Sequence, residues 1–290
     1  AHVDLPARML ARSYAAQILE GRGLSLQAEL DLAGTPDWWE AALEAAPKIN
    51  PAAGVFHEAQ APNHWLDLAA LVRYWEAAFG TGKVQLRSYD APRFATPEVT
   101  DEIINAFELK SPIGKATSIA LPPPASAASL SRGRRLNVLI LQVLANGQRI
   151  LPRQLWRGFV QYVAVDGSEM DVAALHPFTK HFAAGLKELL QAHAGLNAET
   201  FKAPRARGTW AEADPLYGFR ASQYLLGYMW RIDKATREEQ QKRTADLASL
   251  SPTTDDTPAP QPAPAPARAE DDAPDGLSET ARKLMPPLAI

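Results

Sequence analysis

One stretch of this 290-residue chain alternates apolar and polar side chains at the period of a strand. In KVQLRSYD, residues 83–90, Val84, Leu86 and Ser88 fall on one side and Gln85, Arg87 and Tyr89 on the other. Nearly everything else before Ser251 repeats at the helical period. A lone strand needs a neighbour to pair its backbone groups, so two fold classes stay open. The first is an α/β protein represented here mainly by its helical C-terminal part, with other strands elsewhere. The second is an all-α domain in which 83–90 is an incidental extended segment.

The helical segments can be placed from their apolar stripes. Residues 7–20 set Met9, Leu10, Tyr14, Ile18 and Leu19 along one side, and Gly21 and Gly23 end the run. Thr35-Pro36-Asp37 pairs an N-cap candidate with proline at a first helical position, opening a helix with Trp38, Trp39 and Leu43. From Trp65 to Phe79, Leu68, Leu71, Val72, Trp75 and Phe79 follow the i, i+3, i+4, i+7 rule up to Gly80. Helices are also expected from Thr96 to Leu109, at 130–146, 153–164, 177–194 and 216–249. The tryptophans are expected mainly in the core, and Pro122-Pro123-Pro124 marks an irregular crossing.

The body, 1–250, ends in a compositional break. Ser251–Asp275 holds seven prolines, many alanines and six acids against the single Arg268. Such a segment buries too little surface to offset its ordering entropy, so 251–276 reads as an extended, solvated linker. After it, 277–290 contains a short helical segment, Leu277–Met285 behind Ser278, that could dock on the body or on a partner.

Charge and composition exclude several functions. A formal net charge of −3 is the wrong sign for a chain whose main task is binding phosphate backbones, so nucleic acid is not an expected partner. With no cysteine there are no disulfides, thiolate metal sites or thiol nucleophiles. The chain opens at Ala1 with no basic n-region or apolar run, and nothing approaches the roughly 20 apolar residues of a membrane span. No signal peptide or transmembrane segment is therefore read, and a cytoplasmic location is expected. His176 and His181, five apart, point about 140° away from each other on a helix, so no metal site is expected.

Phosphate chemistry leaves weaker traces. FGTGKV, 79–84, lacks the first glycine and the final Ser/Thr of a phosphate-cradling loop, and it precedes rather than follows a strand. Three basic groups remain. Arg8, Arg12 and Ser13 combine guanidinium with hydroxyl on the opening helix, suited to an anion by charge-assisted hydrogen bonds, or else form a solvated i, i+4 face. Lys202, Arg205 and Arg207, with Trp210, stand in a loop bounded by Pro204 and Gly208 that could clamp an anion or simply connect two helices. Arg132-Gly133-Arg134-Arg135 presents the same choice at the start of another helix.

Taken in order, these pieces resemble a known family. VDLPARMLARSYAAQILEG, residues 3–21, is similar to the segment that follows a core strand in bacterial sulfotransferase-like proteins of the P-loop fold. LDLAALVRYWEAAFGTGKVQLRSYD, 66–90, resembles that family's next hallmark, a helix ending Trp-x-x-x-Phe-Gly and then a strand ending Arg-x-Tyr-acid. The likeness extends over roughly 3–200. It implies transfer of a sulfuryl group from PAPS to a hydroxyl of a carbohydrate or small molecule, with no metal. It also implies that Ser13 helps hold the nucleotide's 3′-phosphate. The arginine that family members carry eight positions earlier falls on Leu5, leaving Arg8 or Arg12 as substitutes. Arg205 and Arg207 stand where a basic loop closes on the same phosphate. The family's sulfuryl-binding loop lies upstream of this segment, so these residues are expected to be a piece of the family's fold and inactive in transfer by themselves.

Overall fold

The structure, a computed structural model, describes residues 1–213 and 220–250. The expected linker, 251–276, and terminal segment, 277–290, lie outside the described residues. Contacts divide the chain into two units, Ala1–Ala245 and Asp246–Ile290. Of the second, the described part is the end of the last helix.

The described residues are mostly helical, with a single two-stranded parallel sheet. In chain order they run β1 (His2–Val3), α1 (Pro6–Leu19), α2 (Gln27–Leu32), α3 (Trp38–Glu44), α4 (His57–Gln60), α5 (Leu68–Phe79), β2 (Arg87–Ser88), α6 (Ala91–Phe94), α7 (Val99–Phe107), α8 (Ala127–Ala145), α9 (Arg153–Tyr162), α10 (His176–His181), α11 (Ala183–Ala192) and α12 (Ala221–Leu250). Among the described residues the α/β expectation is met only by one parallel pair, His2 against Arg87 and Val3 against Ser88; the rest is consistent with the helical alternative.

The strand expected over 83–90 is hydrogen-bonded as a strand only at 87–88. Before that pair, β1 reaches no further than the Ala1 ammonium, which donates to the Gln85 carbonyl at 2.6 Å. Periodicity measures how a segment would sit in a sheet. Pairing needs a neighbour.

α1 shows how local sequence sets an element. Pro6 occupies a first-turn position, and Leu10, Tyr14 and Ile18, four apart, turn one buried stripe inward. At its end the Gly21 amide bonds the Ile18 carbonyl and the Arg22 amide reaches back to Gln17, the double closure of a Schellman motif. Gly21 holds φ +100°, and a Cβ there would stand 2.8 Å from the Trp156 ring. Both conformation and space demand glycine.

Two cores result. The larger gathers the inward faces of α1, α8, α9 and α10 with the first half of α12, and includes Trp38 edge-on to Phe178 and Phe159 stacked on Tyr228 at 4.1 Å. The smaller joins Val3 and Leu86 to Leu71 and Val72 of α5, Leu189 of α11 and Phe201.

Several expected boundaries move. The N-cap of α3 is Asp37, whose carboxylate accepts from the Glu40 amide, not Thr35. The helix expected over 177–194 breaks at Phe182, which turns in against Trp38 and Phe178. The one expected over 216–249 is seen from Ala221. Trp38 and Trp156 are core residues as expected, whereas Trp230 is 63% exposed and Phe79, the end of the α5 stripe, is 72% exposed.

Candidate functional site

In open parallel sheets, ligands bind beyond the carboxyl ends of the strands. At that end of β1 stands Asp4, a buried carboxylate. It accepts from its neighbour's amide, Leu5, at 2.7 Å, from Arg8 Nε at 2.9 Å and pairs with Arg12 at 2.9 Å. Burial by itself would raise its pKa, but the bonds from Arg8, the Leu5 amide and Arg12 outweigh it and hold the carboxyl below the usual aspartate range. Arg12 also lies 5.2 Å above the ring of Tyr89, just past the carboxyl end of β2. Arg8 additionally donates to the Thr200 carbonyl. Two guanidinia against one carboxylate leave an excess of one positive charge.

The candidate anion residues are brought only partly together. Arg8 and Arg12 share Asp4. Ser13, next along α1, points away from them and accepts from Asn63 Nδ2 at 2.7 Å. Arg205 and Arg207 are exposed and make no ion pair among the described residues. Their loop is tethered at its start by the Arg8 bond to Thr200 and beyond its end by Glu212, which Arg134 grips with two bonds of 2.6 and 2.7 Å. Arg134 also donates to the Gly23 carbonyl. Arg132 is buried, donates to the Val163 carbonyl and lies over the ring of Tyr224. The 132–135 cluster is therefore built largely into the fold.

A second carboxylate sits beside the strands. Glu102 of α7, nearly inaccessible, takes Arg87 at 2.5 Å and His2 at 2.9 Å on one oxygen and Arg93 at 2.8 Å on the other. The Arg87 hydrogen bond outweighs burial, and with His2 and Arg93 it brings the Glu102 pKa to about 2. This cluster ties α6 and α7 to the two strands.

The third polar assembly lies at the end of α1. Arg22, fully buried, donates to Gln17 at 2.7 Å, to Glu29 at 2.6 Å and to the Leu24 carbonyl, with its guanidinium 5.1 Å over Tyr14. Asn137 of α8 donates to the Ile18 and Arg22 carbonyls and accepts from Trp156 Nε1 at 2.7 Å. Burial raises the pKa of Glu29 in spite of Arg22, and Glu29 Oε1 has no hydrogen-bond partner among the described residues. Burial, then the charge of Glu212, pushes Tyr14 up to about 12.

Sequence reasoning missed Asp4, Glu102, Arg22 and Glu29. The i, i+4, i+8 spacing of Asp4, Arg8 and Arg12 was a usable signal for the first. Nothing local marks Glu102, whose partners lie up to 100 residues away. Among the described residues no group of histidine and acidic side chains is placed to hold a metal ion, and no helix is long and apolar enough to cross a membrane. Compared with protein-family models, with curated proteins and with solved structures, the chain matches none.

Proposed function

We propose that this chain is a sulfotransferase-like protein whose described residues bind the 3′-phosphoadenosine end of PAPS at the carboxyl ends of β1 and β2. The observation that supports this reading is the convergence of Arg8 and Arg12, on a helix that leaves β1 directly, with Tyr89 just past β2. Arg12, whose side chain is 48% exposed, is the guanidinium free enough to turn from Asp4 to a phosphate oxygen. Ser13, whose hydroxyl meets Asn63, stands apart from this pair; Arg205 and Arg207 are cations on the loop after Thr200 without carboxylate partners among the described residues. The ring of Tyr89 offers an adenine a stacking surface. The acceptor is proposed to be a hydroxyl of a carbohydrate or small molecule. No residue is assigned the proton-accepting role.

Isothermal titration with adenosine 3′,5′-bisphosphate tests the proposal. Saturable binding is expected, weakened about tenfold by Arg12→Ala, the scale of one charge-assisted hydrogen bond. Arg205→Ala/Arg207→Ala should weaken it further. Absence of saturable heat would favour a second reading, a non-catalytic helical interaction protein. That reading is supported by the ion pairs that already engage Arg8, Arg12 and Arg134.

A further inference from the structure

The connection from α7 to α8 holds neither helix nor strand over residues 108–125. Structureless stretches of that length are uncommon in packed bodies, and those that occur often carry function. This one also gathers exposed apolar side chains: Phe107 at its start is 71% exposed, and Leu109, Ile113, Ile119 and Leu121 follow, the last two at 62% and 50%. Grouped exposure of this kind marks a contact surface, whereas a single exposed leucine would mean nothing.

The last part of the connection is pinned at both ends. The Ile119 amide donates to the Ala95 carbonyl at 2.9 Å, and the Ser126 hydroxyl donates to the Val165 carbonyl at 2.6 Å. Between these pins lie Leu121, Pro122, Pro123 and Pro124, all exposed and joined by trans peptide bonds. Each proline fixes its own φ near −65° and drives the residue before it out of the helical region, so Leu121, Pro122 and Pro123 are confined to polyproline II before any partner arrives. Three residues make one turn of that helix, which sets Leu121 and Pro124 on one edge, about 9 Å apart. The backbone carbonyls of 120–125 accept no hydrogen bond among the described residues.

We propose that residues 121–124 are a docking segment for a partner protein with a polyproline-reading groove, one lined by Trp and Tyr rings. Such rings pack against the pyrrolidine faces, and their indole N–H or hydroxyl donates to the free carbonyls. Because the segment is already extended and held at both ends, docking gives up little conformational entropy. Charge narrows the partner further. No side chain over 116–131 is charged, so the contact needs no charge on the groove and is insensitive to salt. A lipid surface is disfavoured, since Lys110 and Lys115, offset by Glu108, are the only cations over 107–131, and adsorption to anionic lipid draws on a cluster of basic residues. This inference does not depend on nucleotide binding.

The test titrates the full chain into purified, isotope-labelled SH3 and WW domains and follows their amide shifts by nuclear magnetic resonance. Saturable shifts at the aromatic groove of at least one domain are expected, with an affinity that changes less than about twofold between low and high salt. Pro122→Ala/Pro123→Ala should weaken binding about tenfold or more, and Leu121→Ala by a smaller factor. Both alter exposed side chains, and circular dichroism checks that the variants fold. They leave the prolines of 251–275 in place, so binding through that stretch would survive them. The proposal is overturned if neither domain binds, if the double variant binds as tightly as the parent chain, or if the chain instead adsorbs to phosphatidylglycerol vesicles through Ile113 and Ile119 with no dependence on the prolines.

Discussion

Arg22 and Glu29 meet with no solvent on either side chain, so neither charge can be lost cheaply. Removing one partner of such a pair leaves the other buried and uncompensated, at about 3–5 kcal/mol. Arg22→Met should therefore destabilise the fold by that amount at pH 7 in urea unfolding. The penalty should shrink as the pH approaches 5. Burial already raises the Glu29 pKa, and without Arg22 it rises further, so the folded state takes up a proton that the unfolded chain binds only near 4.5. An unchanged penalty between pH 7 and pH 5 would contradict this. Glu102 works with the opposite sign. Its pKa is brought from 4.5 to about 2, so the unfolded chain binds the proton more readily, and stability present above about pH 5 is lost as the pH falls toward 2. Up to about 3 kcal/mol of the stability at pH 7 rests on this carboxylate. Glu102→Gln should remove it and flatten the acid limb of the stability curve. Of these groups only the Asp4 set follows from sequence spacing, because its members share one helical turn and the next. Arg22–Glu29 and Glu102 depend on chain segments brought together by the fold.

The helices were the legible part of this molecule, because a buried stripe leaves a periodic mark on the sequence whatever it packs against. Their neighbours leave no such mark. α8 shows the difference at Gly133, a residue that looks like a flaw in a good helix. A Cβ there would stand 2.9 Å from Ile18 of α1 and 3.0 Å from Val160 of α9, so the gap is what lets three helices close on one another. Gly133→Val should cost about 3 kcal/mol through overpacking. Gly158 in α9 is the control: nothing lies within 4 Å of its added Cβ. Gly158→Ala should raise stability by about 1 kcal/mol from helix propensity alone. Thermal unfolding of the two variants distinguishes tight packing from mere tolerance, and equal effects would refute the packing argument. The short strand fails at this same scale. Alternation at 83–90 was visible, but the length of pairing is set by β1, two residues whose role no local pattern announces.

Across the whole molecule, burial on α12 stops at Thr236, well before the division of the chain at Ala245. Its first half covers the larger core with Tyr224, Tyr228 and Ile232, and Thr236 exchanges hydrogen bonds with both backbone groups of Ile150, while Arg149 holds Asp233 at 2.8 Å. Beyond Thr236, among the described side chains, all but the half-buried Glu239 are exposed. The compositional break that the sequence shows at Ser251 therefore comes after the structural one, because the charged run from Arg237 to Arg243 continues the helix without giving it anything to bury. A chain ending at Ala245 should unfold as one cooperative transition with a melting temperature within about 2 °C of the full chain, since the described side chains it removes, 246–249, are all exposed. A chain ending at Arg231 loses fully buried Ile232, Ala235 and the Thr236 latch, and should lose about 3 kcal/mol or more. If the shorter cut proved harmless, α12 would be an appendage rather than part of the core, and the packing of Tyr228 on Phe159 would contribute little to holding the body together.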